Sequence, residues 1–173
     1  MDIEQIKSSI RNIPDFPQPG IQFKDITTLL MDPEIFSECI EIFYEEFKES
    51  GIDVVVGIES RGFIFAAPLA LKLNCSLALA RKPGKLPADK VSETYELEYG
   101  TDSLEMHVDA IQEGSNVLIM DDLLATGGTA SAVNNLVNNL GGQVQAIAFL
   151  IILNDLGGRE KLGNSEVYSI LEL

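Results

Sequence analysis

The sequence predicts an α/β fold, a mainly parallel sheet flanked by helices, and three observations carry that expectation. Short apolar runs rich in Val, Ile and Leu at residues 54–58, 117–120 and 144–153 read as strands buried on both faces. Between them, apolar residues recur at helical spacing, as in Phe36, Cys39, Ile40, Phe43 and Phe47 or Val133, Leu136, Val137 and Leu140. Two of the runs then end in small and charged residues, Glu59-Ser60-Arg61-Gly62 and Asp121-Asp122, at the strand ends where open α/β sheets bind ligands.

A chain of 173 residues suits one domain, so residues 1–173 are expected to share a single core. Its longest apolar run, residues 146–153, is far short of the roughly 20 needed to span a bilayer. The opening MDIEQIK has neither a basic nor an apolar leader segment, and a soluble cytoplasmic protein is the expectation. A formal charge of −15, from 27 acids against 12 bases, argues against nucleic acid as a partner, because such binding neutralises phosphates with cations. Cys39 and Cys75 stand apart in apolar contexts and read as reduced core thiols.

In chain order, Ile3, Ile6, Ile10 and Ile13 predict one short amphipathic helix ending at Pro14. Pro14, Pro17, Pro19 and Gly20 then make DFPQPGIQFKDIT a long irregular connection, ordered by Phe16, Ile21, Phe23 and Ile26 and suited to a lid or ligand wall. Asp32 is placed to cap a helix with Pro33 at its first position, and Gly51 ends that segment. The strand at 54–58 leads through Ser60 and Arg61 into a helical stretch in which Pro68 predicts a kink or a late start.

A third strand at 76–80 leads into RKPGKLPADK, which holds four of the 12 bases and enough Gly and Pro to read as a mobile loop attracting a polyanion. Alternation at Tyr95, Leu97 and Tyr99, a turn at Gly100, and alternation at Leu104, Met106 and Val108 predict a hairpin, with Glu98 on a movable arm and His107 in a structural role. After the strand at 144–153 come a short helix or turn at 156–162 and a final strand at 167–171.

The organising stretch is VLIMDDLLATGGT, residues 117–129. Ala125, Thr126, Gly127, Gly128 and Thr129 leave backbone N–H groups free to close around a phosphate at the start of the following helix. Two carboxylates would repel a bare anion, so Asp121 and Asp122 point to ribose hydroxyls and a hard divalent cation, and the implied ligand is a phosphorylated sugar. No GK[ST] follows the glycines and the GxGxxG spacing is absent, which excludes a P-loop and a dinucleotide fingerprint.

Strand, acid pair and TGGT loop resemble the phosphoribosyl pyrophosphate motif of type I phosphoribosyltransferases. With DFPQPGIQFKDIT, ESRGF, RKPGKLP, TYELEYG and LGGREKL in the same order, nearly the whole chain resembles the adenine-specific branch of that family. The resemblance implies reaction of adenine with 5-phosphoribosyl 1-pyrophosphate (PRPP) to give AMP and pyrophosphate, with Mg²⁺, in a homodimer. It implies a base-binding hood over residues 1–32 and a flexible catalytic loop and hairpin over 81–108. Glu98 would take the adenine proton and Arg61 would act at the leaving group. Pyrophosphate would be held by Ser60, Arg61, Arg81, Lys82 and Lys85, and the ribose phosphate by the 125–129 loop. Asp121 and Asp122 would hold ribose hydroxyls and, indirectly, the metal. Adenine would lie against Gln22, Phe23, Lys24, Tyr99 and Leu123; other members often carry arginine at the Lys24 position, a change that main-chain recognition would survive.

Two other functions are weighed. An enzyme of this fold for xanthine or guanine is disfavoured by ELEYG and by Ala125, where 6-oxopurine enzymes typically carry an aspartate. A non-catalytic regulator that senses PRPP while binding nucleic acid is disfavoured by the net charge and by the lack of an appended DNA-binding segment.

Overall fold

Burial of β-branched runs on both faces sets the architecture. In a computed structural model that describes residues 3–96 and 100–173, the chain gathers into two compact units, Met1–Phe43 and Tyr44–Leu173. The larger unit is built on five parallel strands, β3 (Val54–Ile58), β4 (Ser76–Ala80), β7 (Asn116–Leu124), β8 (Gln143–Ile152) and β9 (Val167–Glu172), in the order β4-β3-β7-β8-β9. The chain moves outward from β3 to β4 and returns on the other side of β3 to β7. The order therefore reverses at β3 and β7, and a crevice opens outside their carboxyl ends.

Successive side chains alternate across the sheet, which tells the two faces apart. Val54, Val56, Ile58, Val117, Ile119, Ile147 and Phe149 share one buried cluster with Val133, Leu136 and Val137 of α5 (Gly128–Asn139). Leu104 and Met106 join that cluster from β6 (Thr101–His107), which pairs antiparallel with β5 (Lys90–Glu96) as the expected hairpin. The other face meets α4 (Gly62–Leu73): a Cβ on Gly57 would stand 2.9 Å from Ala66 Cβ and 3.0 Å from the Phe63 ring, so glycine is what lets this helix lie against β3. Pro68 sits inside α4, which runs unbroken from Gly62; the expected late start is absent, and proline's missing N–H is tolerated within the helix.

Three expectations are corrected. The acid pair lies within β7, not beyond its end, because the long apolar β8 keeps pairing with it through Asp121↔Phe149, Leu123↔Ile151 and Leu124↔Ile152. The N-terminal helix α1 stops at Ile3–Ser8, where the Ser8 and Ser9 hydroxyls donate to the carbonyls of Gln5 (2.9 Å) and Ile6 (2.6 Å) and close its end. Ile13 belongs to β1 (Arg11–Pro14), antiparallel to β2 (Gln22–Asp25), so only residues 15–21 of DFPQPGIQFKDIT are irregular; they join the two strands of a hairpin that leads into the single turn α2 (Thr27–Leu30). Arg11 fixes that register by forking onto Asp25 (2.6 and 3.0 Å), and Asn12 donates to Gln22 (2.7 Å).

The cap on α3 (Pro33–Phe47) is as expected, with Asp32 Oδ1 accepting the Glu34 and Ile35 N–H groups at 3.0 and 3.2 Å. A 3-10 turn, Asn154–Leu156, and the short helix α6 (Gly158–Lys161) fill the expected segment before β9. Both cysteines are free; burial pushes the Cys39 thiol up to about 12 and raises Cys75 as well, consistent with inert thiols. Among the described residues no helix is long and apolar enough to cross a membrane.

Candidate functional site

At the sheet's switch point the backbone approaches itself closely. A Cβ on Gly62, the first residue of α4, would lie 2.7 Å from the Met120 carbonyl oxygen and 2.9 Å from Asp121 Oδ1, so only glycine lets α4 start against the acid pair. Arg61, one residue earlier, reaches across with Nη2 2.8 Å from Asp122 Oδ2. That spacing makes an ion pair, but its alignment leaves Oδ2 without a hydrogen bond although Asp122 is only 4% exposed. Asp121 Oδ1 accepts the Asp122 N–H at 2.8 Å.

Burial, followed by the neighbouring Asp122 carboxylate, raises the Asp121 carboxyl well above its ordinary value; Arg61 counters this only in part. Burial also raises Asp122, against the pull of Arg61. Asp122 Oδ2 is thus left with a charge beside it and no hydrogen bond. Ribose hydroxyls would supply donors to the pair, and a hard cation would supply positive charge. Among the described residues no group of three or more His, Cys, Asp or Glu could hold a metal.

Beyond the acids the chain encloses a cavity of about 90 Å³, lined by Asp121, Leu123 and the 124–130 segment. Gly127 caps α5 in the left-handed region at φ +82°, and its missing Cβ avoids the Gly158 carbonyl 2.5 Å away. Gly158 in turn has no room for a side chain against the Ala125 carbonyl. Gly128 is hemmed by the Tyr95 ring at 3.2 Å and the Glu96 carbonyl at 3.3 Å. The TGGT loop is thus held between α6 and β5, with the start of α5 facing the cavity as a phosphate site requires. Gly158 was a residue that sequence reasoning did not single out; the paired glycines of LGGREKL were its only signal.

The basic loop leaves the neighbouring strand end. Arg81 donates from Nε to Glu59 Oε2 (3.1 Å), and the Lys82 N–H reaches the same oxygen (2.9 Å). The Lys82 ammonium is clasped by Asp102 and lies 3.2 Å from the Tyr95 hydroxyl. Ser60 lies exposed between Glu59 and Arg61, and the Glu59–Ser60 peptide is cis. The structure thus brings Ser60, Arg61, Asp121, Asp122 and the 125–129 loop to the ends of adjacent strands, and roots Arg81, Lys82 and Lys85 beside them at the end of β4. His107 Nε2 accepts the Ala88 N–H at 3.3 Å, in keeping with a structural role. Glu98 and Tyr99 lie outside the described residues. Gln22, Phe23 and Lys24 form β2 in the smaller unit, where the Phe23 ring meets Phe16 edge-on at 5.1 Å. The sequence placed Glu59 at a ligand-binding strand end without a partner, and the contacts of Glu59, Asp102 and Glu105 with the basic loop were not foreseen.

The family model of the phosphoribosyl transferase domain matches residues 25–172. The adenine phosphoribosyltransferase of Chloroflexus aurantiacus is 55% identical over 99% of both chains, and that of Anaeromyxobacter sp. is 53% identical over 98% of this chain and 96% of its own. The chain belongs to the adenine phosphoribosyltransferase family. Family members of known structure superpose along its length: that from Thermoanaerobacter pseudethanolicus has a TM-score of 0.97 at 50% identity, covering 99% of this chain and all of its own. The family member from Saccharomyces cerevisiae, solved with an imino-altritol bisphosphate and adenine, has a TM-score of 0.92 at 41% identity, covering 97% of each.

Proposed function

We propose that this chain works in purine salvage, transferring the phosphoribosyl group of PRPP to N9 of adenine and releasing AMP and pyrophosphate. The observation that carries the reading is the junction of an acid pair, the half-buried Asp121 and the buried Asp122, with a glycine-bounded cavity at the start of α5, on the strands where the sheet order reverses. The cavity takes the 5-phosphate on the backbone N–H groups and hydroxyls of Ala125, Thr126, Gly127, Gly128 and Thr129. Asp121 and Asp122 accept hydrogen bonds from the ribose hydroxyls.

In the reaction the bond from C1′ to the pyrophosphate oxygen breaks with its electron pair leaving on pyrophosphate, and N9 of adenine forms the new bond to C1′. Ser60, Arg61, Arg81, Lys82 and Lys85 take up the charge that develops on the leaving group. Glu98 accepts the imidazole proton that adenine loses. A Mg²⁺ ion bound with PRPP would offset further phosphate charge, held indirectly through Asp121 and Asp122, and the Asp122 Oδ2 that lacks a hydrogen bond supports that use. Adenine itself is assigned to Gln22, Phe23, Lys24, Tyr99 and Leu123. The relatives' names and the adenine bound to the yeast enzyme support the choice of base, as does Ala125 in place of an aspartate. A homodimer acting in the cytoplasm completes the proposal.

Pyrophosphate release measured in parallel with adenine, guanine, hypoxanthine and xanthine tests the reading. Turnover with adenine alone is expected. Comparable kcat/KM on a 6-oxopurine would overturn the choice of base.

A further inference from the structure

Glu59 directly follows β3, one residue before Ser60 and two before Arg61, and its carboxylate is the point from which the neighbouring basic loop is fixed. Its backbone N–H extends the β3–β4 ladder by donating to the Ala80 carbonyl at 2.9 Å, which sets the side chain beside the residues that leave β4. Oε2 then accepts from both Arg81 Nε and the Lys82 N–H, and Arg81 Nη2 stands 3.5 Å from Oε1. The same guanidinium donates from Nη1 to the Lys85 carbonyl at 3.4 Å and so spans the turn from Arg81 to Lys85. Glu105 holds the other side. Its backbone bridges Arg81 in both directions (2.7 and 2.9 Å), and its Oε2 accepts the Gly84 N–H at 3.1 Å.

The Glu59 side chain is 16% exposed, a position that disfavours a charge, yet the Lys82 N–H and Arg81 hold its carboxyl below its ordinary value, with Lys85 helping by proximity. An acid placed among the cations meant for an anion would weaken their grip if it did nothing else. Here it is spent on geometry: two of its three donors belong to Arg81, and Arg81 closes the turn that carries Lys82 and Lys85.

We infer that Glu59 is a positioning residue for the pyrophosphate half of the site, which locks the Arg81–Lys85 turn through Arg81 and the Lys82 amide. It rests on the function proposed above and adds to it a residue that touches no substrate. Because a displacement of about 1 Å in a binding group can cost as much as 10²-fold, loosening this turn is expected to act on the pyrophosphate-bearing substrate and to leave the other alone.

The test is Glu59→Gln in the full chain, with Glu59→Asp as the variant that keeps the charge. For Glu59→Gln, KM for PRPP and the calorimetric Kd of pyrophosphate with Mg²⁺ are each expected to rise about tenfold, the size of one lost charge-assisted hydrogen bond. KM for adenine should stay within about twofold, and Glu59→Asp should recover part of the loss, since the ion pair outweighs the one-methylene retreat. An unchanged KM for PRPP, or an equal rise in both KM values, overturns the role. If Glu59→Gln does not fold, Glu59→Asp carries the test: its KM for PRPP must rise above the wild-type value while KM for adenine stays within about twofold, and an unchanged KM for PRPP or an equal rise in both overturns the role. The wild-type chain separates the two ideas. Without adenine turnover the proposed function fails first; with turnover and an unchanged KM for PRPP in the variant, only the role of Glu59 fails.

Discussion

Asp121 occupies a position that folding alone would not choose. Its carboxyl is raised by burial and by the Asp122 charge beside it, so the folded chain holds that proton more tightly than the unfolded one does. The cost of ionising it begins as pH climbs past the unfolded value and is complete once pH exceeds the folded one. Asp121→Asn keeps an Oδ1 acceptor for the Asp122 N–H and removes the cost. It should therefore raise Tm at pH 8 and leave it unchanged near pH 4, while calorimetry shows PRPP binding weakened by about tenfold or more, as expected for loss of a charged acceptor. A lower Tm at pH 8 would show that the acid stabilises the fold instead. Glu98 carries the opposite expectation. It is assigned to proton transfer, so Glu98→Gln should lower kcat for adenine by about 10² or more with little change in Tm; an unaltered kcat would take it out of the mechanism.

Elements were legible in the sequence wherever a local period decided them. The strands β3, β4 and β8 follow from unbroken apolar runs, and the acid pair and TGGT loop from a contiguous string. What escaped notice depends on residues far apart. The pattern of Ile3, Ile6, Ile10 and Ile13 fits a helix, but the pairing of Arg11 with Asp25, 14 residues on, turns its second half into a strand. Glu59 and Arg81 are 22 residues apart, and nothing local links Gly158 to Ala125. Both long-range links can be tested. A Cβ on Gly158 has no space against the Ala125 carbonyl, so Gly158→Ala must push α6 off the phosphate loop; a loss of about 1–3 kcal/mol in urea unfolding is expected, together with a raised KM for PRPP. Retained stability with an unchanged KM would mean that the loop does not lean on α6. In the N-terminal hairpin the Thr27 hydroxyl, the Thr27 N–H and Arg11 hold the Asp25 carboxyl down to about 2. A depressed acid stabilises the fold above its unfolded value, about 4, and that contribution is lost as pH falls from there through about 2. An NMR titration of Asp25 should show the low midpoint; a midpoint near 4 would mean that the hairpin register is not held by this pair.

The whole molecule sets a harder electrostatic problem than its site alone. A chain of formal charge −15 is asked to bind a polyanion, and four of its 12 bases are gathered between residues 81 and 90. Two of those four are already paired within the chain, Arg81 with Glu59 and Lys82 with Asp102. Screening weakens the repulsion from distant surface acids, since the Debye length is about 10 Å at 0.1 M salt, but it does little for Asp121 and Asp122 within the crevice. On the proposed function, charge brought in with the ligand offsets them, and binding of PRPP is expected to depend on a divalent cation. A ligand that binds only the folded chain stabilises it by about 2.7 kcal/mol when present at 100 times its Kd, worth roughly 5–10 °C in Tm for a chain of this length. PRPP with Mg²⁺ is expected to give a shift of that size, and PRPP with EDTA less than a third of it. An equal shift under both conditions would mean that the chain's own cations suffice, and the indirect metal role of Asp121 and Asp122 would have to be abandoned.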